Sequence, residues 1–461
     1  MTSRSLAESG CGCRVSSRRR RTEGGSDTGP AELARSLADA PGEVERCGEA
    51  LRLARMLSAV TQVIPRFFYR VDIGAATEMG LRRSVLQDAH LVAEQHGVIA
   101  IADGIGGIQG GDRAARMALD EVSSAMATET TQRVAQQYVS SPDLETRRLV
   151  RKRLTRVVER VNEAVYRLGR EQEPPGQLGT TLDIAWLLRD EVFLAHVGDS
   201  RVDLVRTNAV LQVTEDHSEP THRGTPNTTR SKRAQPARLT NAIGLAPHVN
   251  VDTVLVELRR GDCLALLTDG VWTALSSEGE LDRLARGSSM EHAARNLVQF
   301  AKGTSYDDRT AVVLECIDRF VRHESRASGS LVSEIEPLAE SALFIGMAWP
   351  RILAVLSVAI QVEFEAGERI PHWFANDRVS YVVLEGIVRR DDGKRLGQGA
   401  ALYAEGLVGC EPSRGLYECE ELVRAIRVRR EDFHEVCASD PLLAAELYRR
   451  LAEHLGQKLS G

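Results

Sequence analysis

Two aspartates stand at the ends of apolar stretches that are typical of buried strands. Asp103 directly follows residues 97–102, Asp269 directly follows residues 263–268, and a glycine comes after each aspartate. A single aspartate at such a place is most often a turn residue, because its short side chain bonds to nearby backbone. The same strand–Asp–Gly arrangement occurs twice here, which indicates carboxylates that are placed for chemistry.

Three further aspartates belong to the same group. Asp199 comes at the end of a third strand-like segment, Asp307 lies just before a fourth, and Asp88 precedes a short apolar run. If these carboxylates met at one edge of a sheet, they would repel each other and their pKa values would rise. Hard divalent cations would neutralise the cluster, and a donor set of oxygen atoms favours Mg²⁺ or Mn²⁺ over zinc or copper.

The elements that would position these carboxylates are short strands interrupted by helices. Helical periodicity is present at 112–126, 143–170 and 291–301, whereas strand-like segments occupy 182–214 and 254–268. Helices and strands do not alternate regularly along the chain. The pattern therefore predicts a layered α+β domain, a β-sandwich of antiparallel sheets flanked by helices.

The order of these motifs resembles that of the PPM (type 2C) family of metal-dependent protein phosphatases. The matching segments are residues 80–88, 102–107, 178–181, 197–201, 216–218, 239–244, 267–272 and 307–310. The second of them reads Ala-Asp-Gly-Ile-Gly-Gly, and the seventh reads Leu-Thr-Asp-Gly-Val-Trp. The resemblance implies the PPM fold and hydrolysis of phosphoserine and phosphothreonine in proteins, which would oppose a Ser/Thr kinase.

The resemblance also implies which residues hold two Mn²⁺ or Mg²⁺ ions. Asp103 would bridge the two ions, and the carbonyl of Gly104 would assist at one of them. Asp269 and Asp307 would complete the shell of the other ion. A pair of cations lowers the pKa of a bridging water and offsets the charge of a phosphate during in-line displacement.

Three other positions receive roles from the same resemblance. Asp88 would hold metal-bound water, and Asp199 would anchor a weaker third ion. Arg83 would clamp the phosphate oxygens through paired hydrogen bonds, and its neighbour Arg82 is the rival for that role. His196 lies within a strand and is interpreted as a core histidine that has its hydrogen bonds satisfied.

Two residues depart from the family pattern near the expected metal site. Gln87 stands where the family has Glu, which removes one charge, and Asp308 stands where the family usually has Asn, which adds one. These changes keep open a second hypothesis, in which the chain is a catalytically silent pseudophosphatase that binds phosphoproteins. Turnover in the presence of Mn²⁺ would distinguish the two.

The composition suits a chain of several globular domains. The chain has 461 residues, of which 43% are hydrophobic, and its formal net charge is -6. The charge gives no indication of a nucleic-acid partner. No segment is long and apolar enough to span a membrane. The scattered cysteines fit a cytoplasmic protein. The predicted organisation is 1–65 as a disordered or helical extension, 66–320 as the phosphatase-like domain, 321–332 as a linker and 333–461 as a second domain.

This last domain resembles a cyclic-nucleotide-binding β-roll that ends in a helix. The supporting segments are residues 364–368, 381–386, 396–399 and 441–458. In that family a glutamate binds the ribose and an arginine binds the cyclic phosphate, for which Glu405 and Arg414 are the candidates. The motif around them is only partly similar, so a degenerate roll that binds protein or dimerises is the alternative.

Overall fold

The computed structural model describes residues 62–105, 110–171, 178–207, 209–219, 238–319, 338–339, 341–409 and 415–460. Residues 1–61 of the predicted N-terminal extension, the predicted linker and the candidate Arg414 lie outside these residues. No helix within the described ranges is both long and apolar enough to cross a membrane.

Two antiparallel sheets form the centre of the first domain. The first sheet has the strand order β1-β2-β11-β10-β7-β8, and the second has the order β3-β4-β5-β6-β9. The strands are β1 Gln62–Val63, β2 Tyr69–Glu78, β3 Asp88–Ala93, β4 Val98–Asp103, β5 Leu182–Leu188, β6 Glu191–Val197, β7 Arg201–Arg206, β8 Ala209–Gln212, β9 Asp252–Glu257, β10 Cys263–Leu267 and β11 Arg309–Arg319. Because β1 pairs with β2, the sheet begins before residue 66, where the domain was predicted to start.

The two sheets pack face to face through alternate side chains of their strands. Ile99 and Leu194 of the second sheet share one buried cluster with Val312 and Leu266 of the first. All seven residues of β5 are buried, because its other face is covered by helices. A strand that is buried on both faces reads as a continuous apolar run, which explains the pattern in the sequence.

Helices cover the outer faces of both sheets, as predicted. Three pack on the second sheet and two on the first, and a single turn opens at the end of β10. The helices are α1 Gly111–Ala127, α2 Glu129–Ser140, α3 Leu144–Arg170, α4 Asp269–Trp272, α5 Glu278–Ala285 and α6 Met290–Ala301. The α+β sandwich flanked by helices is therefore confirmed for the first domain.

Helix starts in this layer have clear local causes. Asp143 accepts a hydrogen bond from the backbone N–H of Thr146, whose hydroxyl in turn accepts from the backbone N–H of Asp143. This capping box satisfies two N–H groups that would otherwise lack partners at the start of α3. Helix α2, which sequence periodicity did not predict, begins at a Thr128 cap.

The C-terminal region contains strands in its middle and helices at both ends. Its elements are α7 Trp349–Leu356, β12 Ile360–Phe364, β13 Arg369–Ile370, β14 Trp373–Phe374, β15 Asp377–Glu385, β16 Val388–Arg390, β17 Arg395–Leu396, β18 Ala401–Leu402, β19 Tyr417–Cys419, β20 Val423–Arg429, α8 Arg430–Ser439 and α9 Pro441–Ser460. One sheet has the order β12-β20-β15-β14 with β18 on β15, and the other has the order β13-β19-β16-β17.

The C-terminal region packs directly against the sandwich. Helix α7 lies against β9, the edge strand of the second sheet, and one apolar cluster includes residues of both regions. Arg148 on α3 pairs with the buried Asp432 at 2.6 Å. Arg351 on α7 donates two hydrogen bonds to Glu215, at 2.9 and 2.7 Å. The two regions are therefore joined by apolar packing and by ion pairs.

Candidate metal centre and phosphate site

Asp88 and Asp103 face each other across adjacent strands. Asp88 opens β3, Asp103 closes β4, and the antiparallel register pairs the two residues directly. The hydroxyl of Thr268 donates to Asp88 Oδ2 at 2.8 Å, while Asp88 Oδ1 is buried and has no hydrogen-bond partner. A buried carboxylate oxygen without a partner is costly unless a cation or a proton compensates it.

Two threonines fix the backbone at Asp103. The backbone N–H of Asp103 donates to the hydroxyl of Thr181 at 3.0 Å, and the carbonyl of Asp103 accepts from the N–H of Thr181 at 2.8 Å. The hydroxyl of Thr180 donates to the same carbonyl at 2.9 Å. These bonds explain the Gly-Thr-Thr motif, because its side chains hold the end of β4 and thereby aim Asp103.

Gly104 occupies a place that no side chain could enter. A Cβ at this position would lie 2.4 Å from the carbonyl oxygen of Gly111 at the start of α1. The N–H of Gly104 donates to the carbonyl of Gln87 at 3.1 Å. The glycine predicted to assist a metal ion is thus required by packing, whatever its carbonyl binds.

Asp269 begins α4, and close packing at the next residue, Gly270, explains why a glycine follows this aspartate. A Cβ on Gly270 would lie 1.8 Å from the backbone carbonyl oxygen of Asp308, so the helix can approach the start of β11 only with glycine here. Asp269 Oδ1 is buried and has no hydrogen-bond partner. The structure therefore presents a second buried carboxylate with a free oxygen beside the first.

The carboxyl groups raise each other's pKa values. Burial, followed by repulsion from Asp88 and Asp269, raises the pKa of Asp103 well above its ordinary value. Burial and then repulsion from Asp199 raise the pKa of Asp269 in the same way. Burial raises the pKa of Asp88 to about 7, and burial with repulsion from Asp216 raises that of Asp199 to about 6. These shifts mark a site that lacks positive charge.

The donor set fits Mg²⁺ or Mn²⁺ by its chemistry. Repulsion from Asp88 and from Asp269 contributes to the raised pKa of Asp103, so these three carboxyl groups lie close together. Within the described residues, no three acidic, histidine or cysteine side chains converge at metal-ligand separation. All the donors are oxygen atoms, two of them buried and free of partners, which is the set that these cations prefer.

Arg83 lies at this site but is engaged with carboxylate. Its Nε donates to Asp307 Oδ1 at 2.7 Å, and its Nη1 donates to Gln87 Oε1 at 2.9 Å. The side chain of Gln87 therefore orients the guanidinium. Arg82, the rival candidate, points elsewhere and stacks over the ring of Tyr306, 4.0 Å from its centroid. The structure favours Arg83 over Arg82 as the arginine closest to the cluster.

Asp308 has a role that the sequence did not predict. Its Oδ1 accepts from the backbone N–H of Gly80 and its Oδ2 accepts from that of Gln87, both at 2.7 Å. Both of its oxygens tie the 80–87 loop to the start of β11.

Asp199 lies in the turn between β6 and β7, next to a stacked pair. The carbonyl of Asp199 accepts from Trp272 Nε1 at 2.9 Å. The guanidinium of Arg201 lies 3.4 Å from the centroid of the Trp272 ring and pairs with Asp216. Sequence reasoning did not single out Trp272 or Arg201, although both belong to the motifs, and together they fix the backbone at Asp199.

His196 is a core residue, as predicted. Its Nδ1 is 2.7 Å from Asp183 Oδ1, its Nε2 is 2.9 Å from the carbonyl oxygen of Glu215, and both side chains of the ion pair are fully buried. Burial alone would lower the pKa of His196, but Asp183 outweighs it and raises that pKa to about 9. The pair supports the segment that carries Asp216.

Comparison with known proteins agrees with this geometry. Residues 81–303 match the family described as protein phosphatase 2C. Protein phosphatase PhpP of Streptococcus pneumoniae is 27% identical over 251 residues, which cover 53% of this chain and 96% of that protein. Serine/threonine phosphatase stp of Listeria monocytogenes serotype 4b is 27% identical over 233 residues, which cover 50% of this chain and 87% of that protein.

Solved structures include similar chains. The PPM Ser-Thr phosphatase MsPP of Mycobacterium smegmatis, in complex with cacodylate, is 27% identical with a TM-score of 0.41, covering 53% of this chain and 97% of its own. The catalytic domain of PstP in complex with 2 manganese ions is 23% identical with a TM-score of 0.42, covering 54% of this chain and 99% of its own.

The comparisons therefore support a serine/threonine protein phosphatase of the 2C type in the part of the chain that forms the sandwich and carries the aspartate cluster.

The second set of candidate residues, in the C-terminal region, is only partly described. Glu405 is buried on the short helix Ala404–Val408, between β18 and β19. Arg414, its predicted partner at a cyclic phosphate, lies outside the described residues. The cyclic-nucleotide site remains a prediction.

Proposed function

We propose that the chain is an active, metal-dependent phosphatase that hydrolyses phosphoserine and phosphothreonine in protein substrates. Asp103, Asp269 and Asp307 would hold two Mn²⁺ or Mg²⁺ ions together with the carbonyl of Gly104, and Asp199 would hold a third. The ions would supply an activated water and offset charge on the phosphate. The chain's own residues then have to bind and orient the phosphate.

Arg83 is proposed to bind the phosphate oxygens. Its guanidinium lies beside Asp307 and Gln87, and its exposed fraction of 24% leaves it open to a ligand. Asp88 is proposed to orient water through its free oxygen, since Thr268 already occupies the other one. The observation that carries the proposal is the meeting of distant aspartates at one sheet edge with two partnerless buried oxygens.

The proposal is tested by phosphatase assays of the full chain with Mn²⁺ on p-nitrophenyl phosphate and a phosphothreonine peptide. We expect turnover, and we expect Asp103→Ala and Asp269→Ala to lower it by about a hundredfold or more, since each removes a ligand. Asp282→Ala removes an exposed aspartate that pairs with Arg286 on α5, and it should leave turnover unchanged. Equal rates in all three variants would refute the proposed site.

The same assay decides the alternative of a silent phosphoprotein-binding module. Gln87 was one of the two departures behind that alternative, because it removes a charge near the expected metal site. In the structure Gln87 orients Arg83, so its amide has a use in an active enzyme. Absence of turnover at any Mn²⁺ concentration would support the silent module instead.

We further propose that the C-terminal region, which we interpret as a degenerate β-roll, regulates the phosphatase through Glu215. Arg351 holds Glu215 from α7 and holds Glu446 on α9 with its remaining nitrogen, at 2.6 Å. The next residue, Asp216, pairs with Arg201 beside Asp199. A shift of α7 or α9 would therefore move Glu215 and Asp216, and with them the residues that fix Asp199 at the metal centre.

This coupling is tested with Arg351→Met in the full chain. The pair is partly exposed, so the loss of stability should be about 1 kcal/mol or less, while the Mn²⁺ concentration for half-activation should change at least twofold. Arg449→Met, which removes an exposed pair with Glu453 on α9, is the control. Identical Mn²⁺ dependence in both variants would exclude the coupling.

A cyclic nucleotide is one proposed signal for this region, and a Ser/Thr kinase is the proposed opponent of the phosphatase. Calorimetry with cAMP and with cGMP tests the first, and no heat at millimolar ligand would exclude it. A cytoplasmic site of action is also proposed. It is supported by the cysteines in the described residues, Cys263, Cys316, Cys419 and Cys437, which are all free thiols.

A further inference from the structure

The rim of the candidate active site carries four exposed apolar side chains. Met79, Leu81 and Val85 lie on the loop that also supplies Arg83, and Tyr306 precedes Asp307 directly. Their exposed fractions run from 47% to 63%. Contiguous exposed apolar surface on a folded domain commonly marks a place where another molecule binds.

The backbone under this apolar rim (Met79, Leu81, Val85 and Tyr306) is firmly held. A Cβ on Gly80 would lie 2.4 Å from the carbonyl oxygen of Tyr306, so the two segments are in close contact. The N–H of Arg83 donates to the carbonyl of Gly80 at 3.1 Å, which closes a tight turn. Asp308 then binds the N–H of Gly80 from the opposite segment. The rim is therefore an ordered surface whose backbone is fixed by these contacts.

Positive charge lies within this surface and at its inner edge. Arg82 covers one face of the Tyr306 ring, and Arg83 lies at the carboxylate cluster. A ligand that suits this arrangement has a dianionic group for Arg83 and a neighbouring apolar group for the rim. A phosphorylated residue followed or preceded by a large apolar side chain has both.

We infer that the rim selects protein substrates in which a bulky apolar residue flanks the phosphorylated serine or threonine. The inference rests on the proposed function, because the rim is read as the continuation of the phosphate site. Burial of one aliphatic side chain against Leu81 and Tyr306 would remove apolar surface from water. The free energy gained by this burial corresponds to about a tenfold increase in kcat/KM.

The test compares two phosphothreonine peptides that differ only in the flanking residues, leucine in one and serine in the other. The full chain with Mn²⁺ should hydrolyse the leucine peptide with about tenfold higher kcat/KM. In Leu81→Ser and in Tyr306→Ser the ratio of the two kcat/KM values should fall toward one. Phe300→Ser, which removes an exposed apolar side chain of α6, should keep the wild-type ratio.

The outcomes separate the two proposals. Turnover of p-nitrophenyl phosphate by the wild-type chain with equal kcat/KM for both peptides would overturn the inference and leave the phosphatase function intact. A preference for leucine that persists in both rim variants would also overturn it, because the selecting surface would then lie elsewhere. No turnover of p-nitrophenyl phosphate would overturn the proposed function itself, and the inference with it.

Discussion

Metal binding by this chain should depend steeply on pH, because protons compete with cations for the same carboxylates. The pKa of Asp88 is raised to about 7, and that of Asp103 is raised as well. An ordinary aspartate with a pKa near 3.9 would be ionised throughout the neutral range. Each buried carboxyl here must instead lose its proton before it can bind an ion or, in the case of Asp88, accept a hydrogen bond from the water that the ion holds.

The magnitude follows from Asp88 alone. With a pKa of about 7, roughly a tenth of the carboxyl is ionised at pH 6, half at pH 7 and about nine tenths at pH 8. The Mn²⁺ concentration that gives half-maximal activity should therefore fall about ninefold from pH 6 to pH 8. Any other carboxyl that titrates in this range multiplies the effect.

The assay is a Mn²⁺ titration of p-nitrophenyl phosphate hydrolysis at pH 6, 7 and 8. Calorimetry in two buffers of different ionisation enthalpy would count the protons that the metal displaces. Thr268→Val supplies a matched perturbation, since the Thr268 hydroxyl donates to Asp88 and lowers its pKa. This variant should shift the pH dependence upward. A half-activating concentration that is equal at pH 6 and pH 8 would refute the reasoning, because the carboxyls would then be ionised already.

Further predictions concern packing and caps. Gly270→Ala places a methyl group against the Asp308 carbonyl, so the free energy of unfolding should fall by about 2 to 4 kcal/mol in a denaturant titration; an unchanged midpoint would contradict the contact. Asp308→Asn removes one acceptor for the N–H groups of Gly80 and Gln87, and should lower kcat/KM on peptides more than tenfold; wild-type kinetics would show that the loop needs only one bond. Asp143→Ala should cost about 1 kcal/mol of stability at unchanged activity, and a larger loss would mean that the cap has a tertiary role.

The aspartate positions could be predicted because each is marked locally. Asp103 and Asp269 follow apolar strands and precede glycines, and those glycines are needed because neighbouring backbone approaches them closely. Helix α2 was not predicted, since its residues 129–140 are mostly polar or β-branched and the helix is held by tertiary contacts, among them those with α1 and α3. Propensity is a weak guide to such a helix.

The contacts that the sequence could not reveal are those that join distant segments. The clamp of Asp308 on the 80–87 loop and the pairing of Arg351 with Glu215 both connect residues more than a hundred positions apart. Charged residues at such positions look like ordinary solvated surface until the fold brings their partners. The same holds for Trp272, whose indole N–H reaches the carbonyl of Asp199.

The position of helix α7 has a consequence for fragments of this phosphatase that lack the C-terminal region. It lies on β9, the last strand of its sheet, and an outermost strand that is left uncovered offers its backbone to other chains. A fragment cut before residue 349 would lose this cover together with part of the shared apolar cluster. Such a fragment should be prone to self-association through β9, and the expected function of the C-terminal region then includes protection of that strand from other chains.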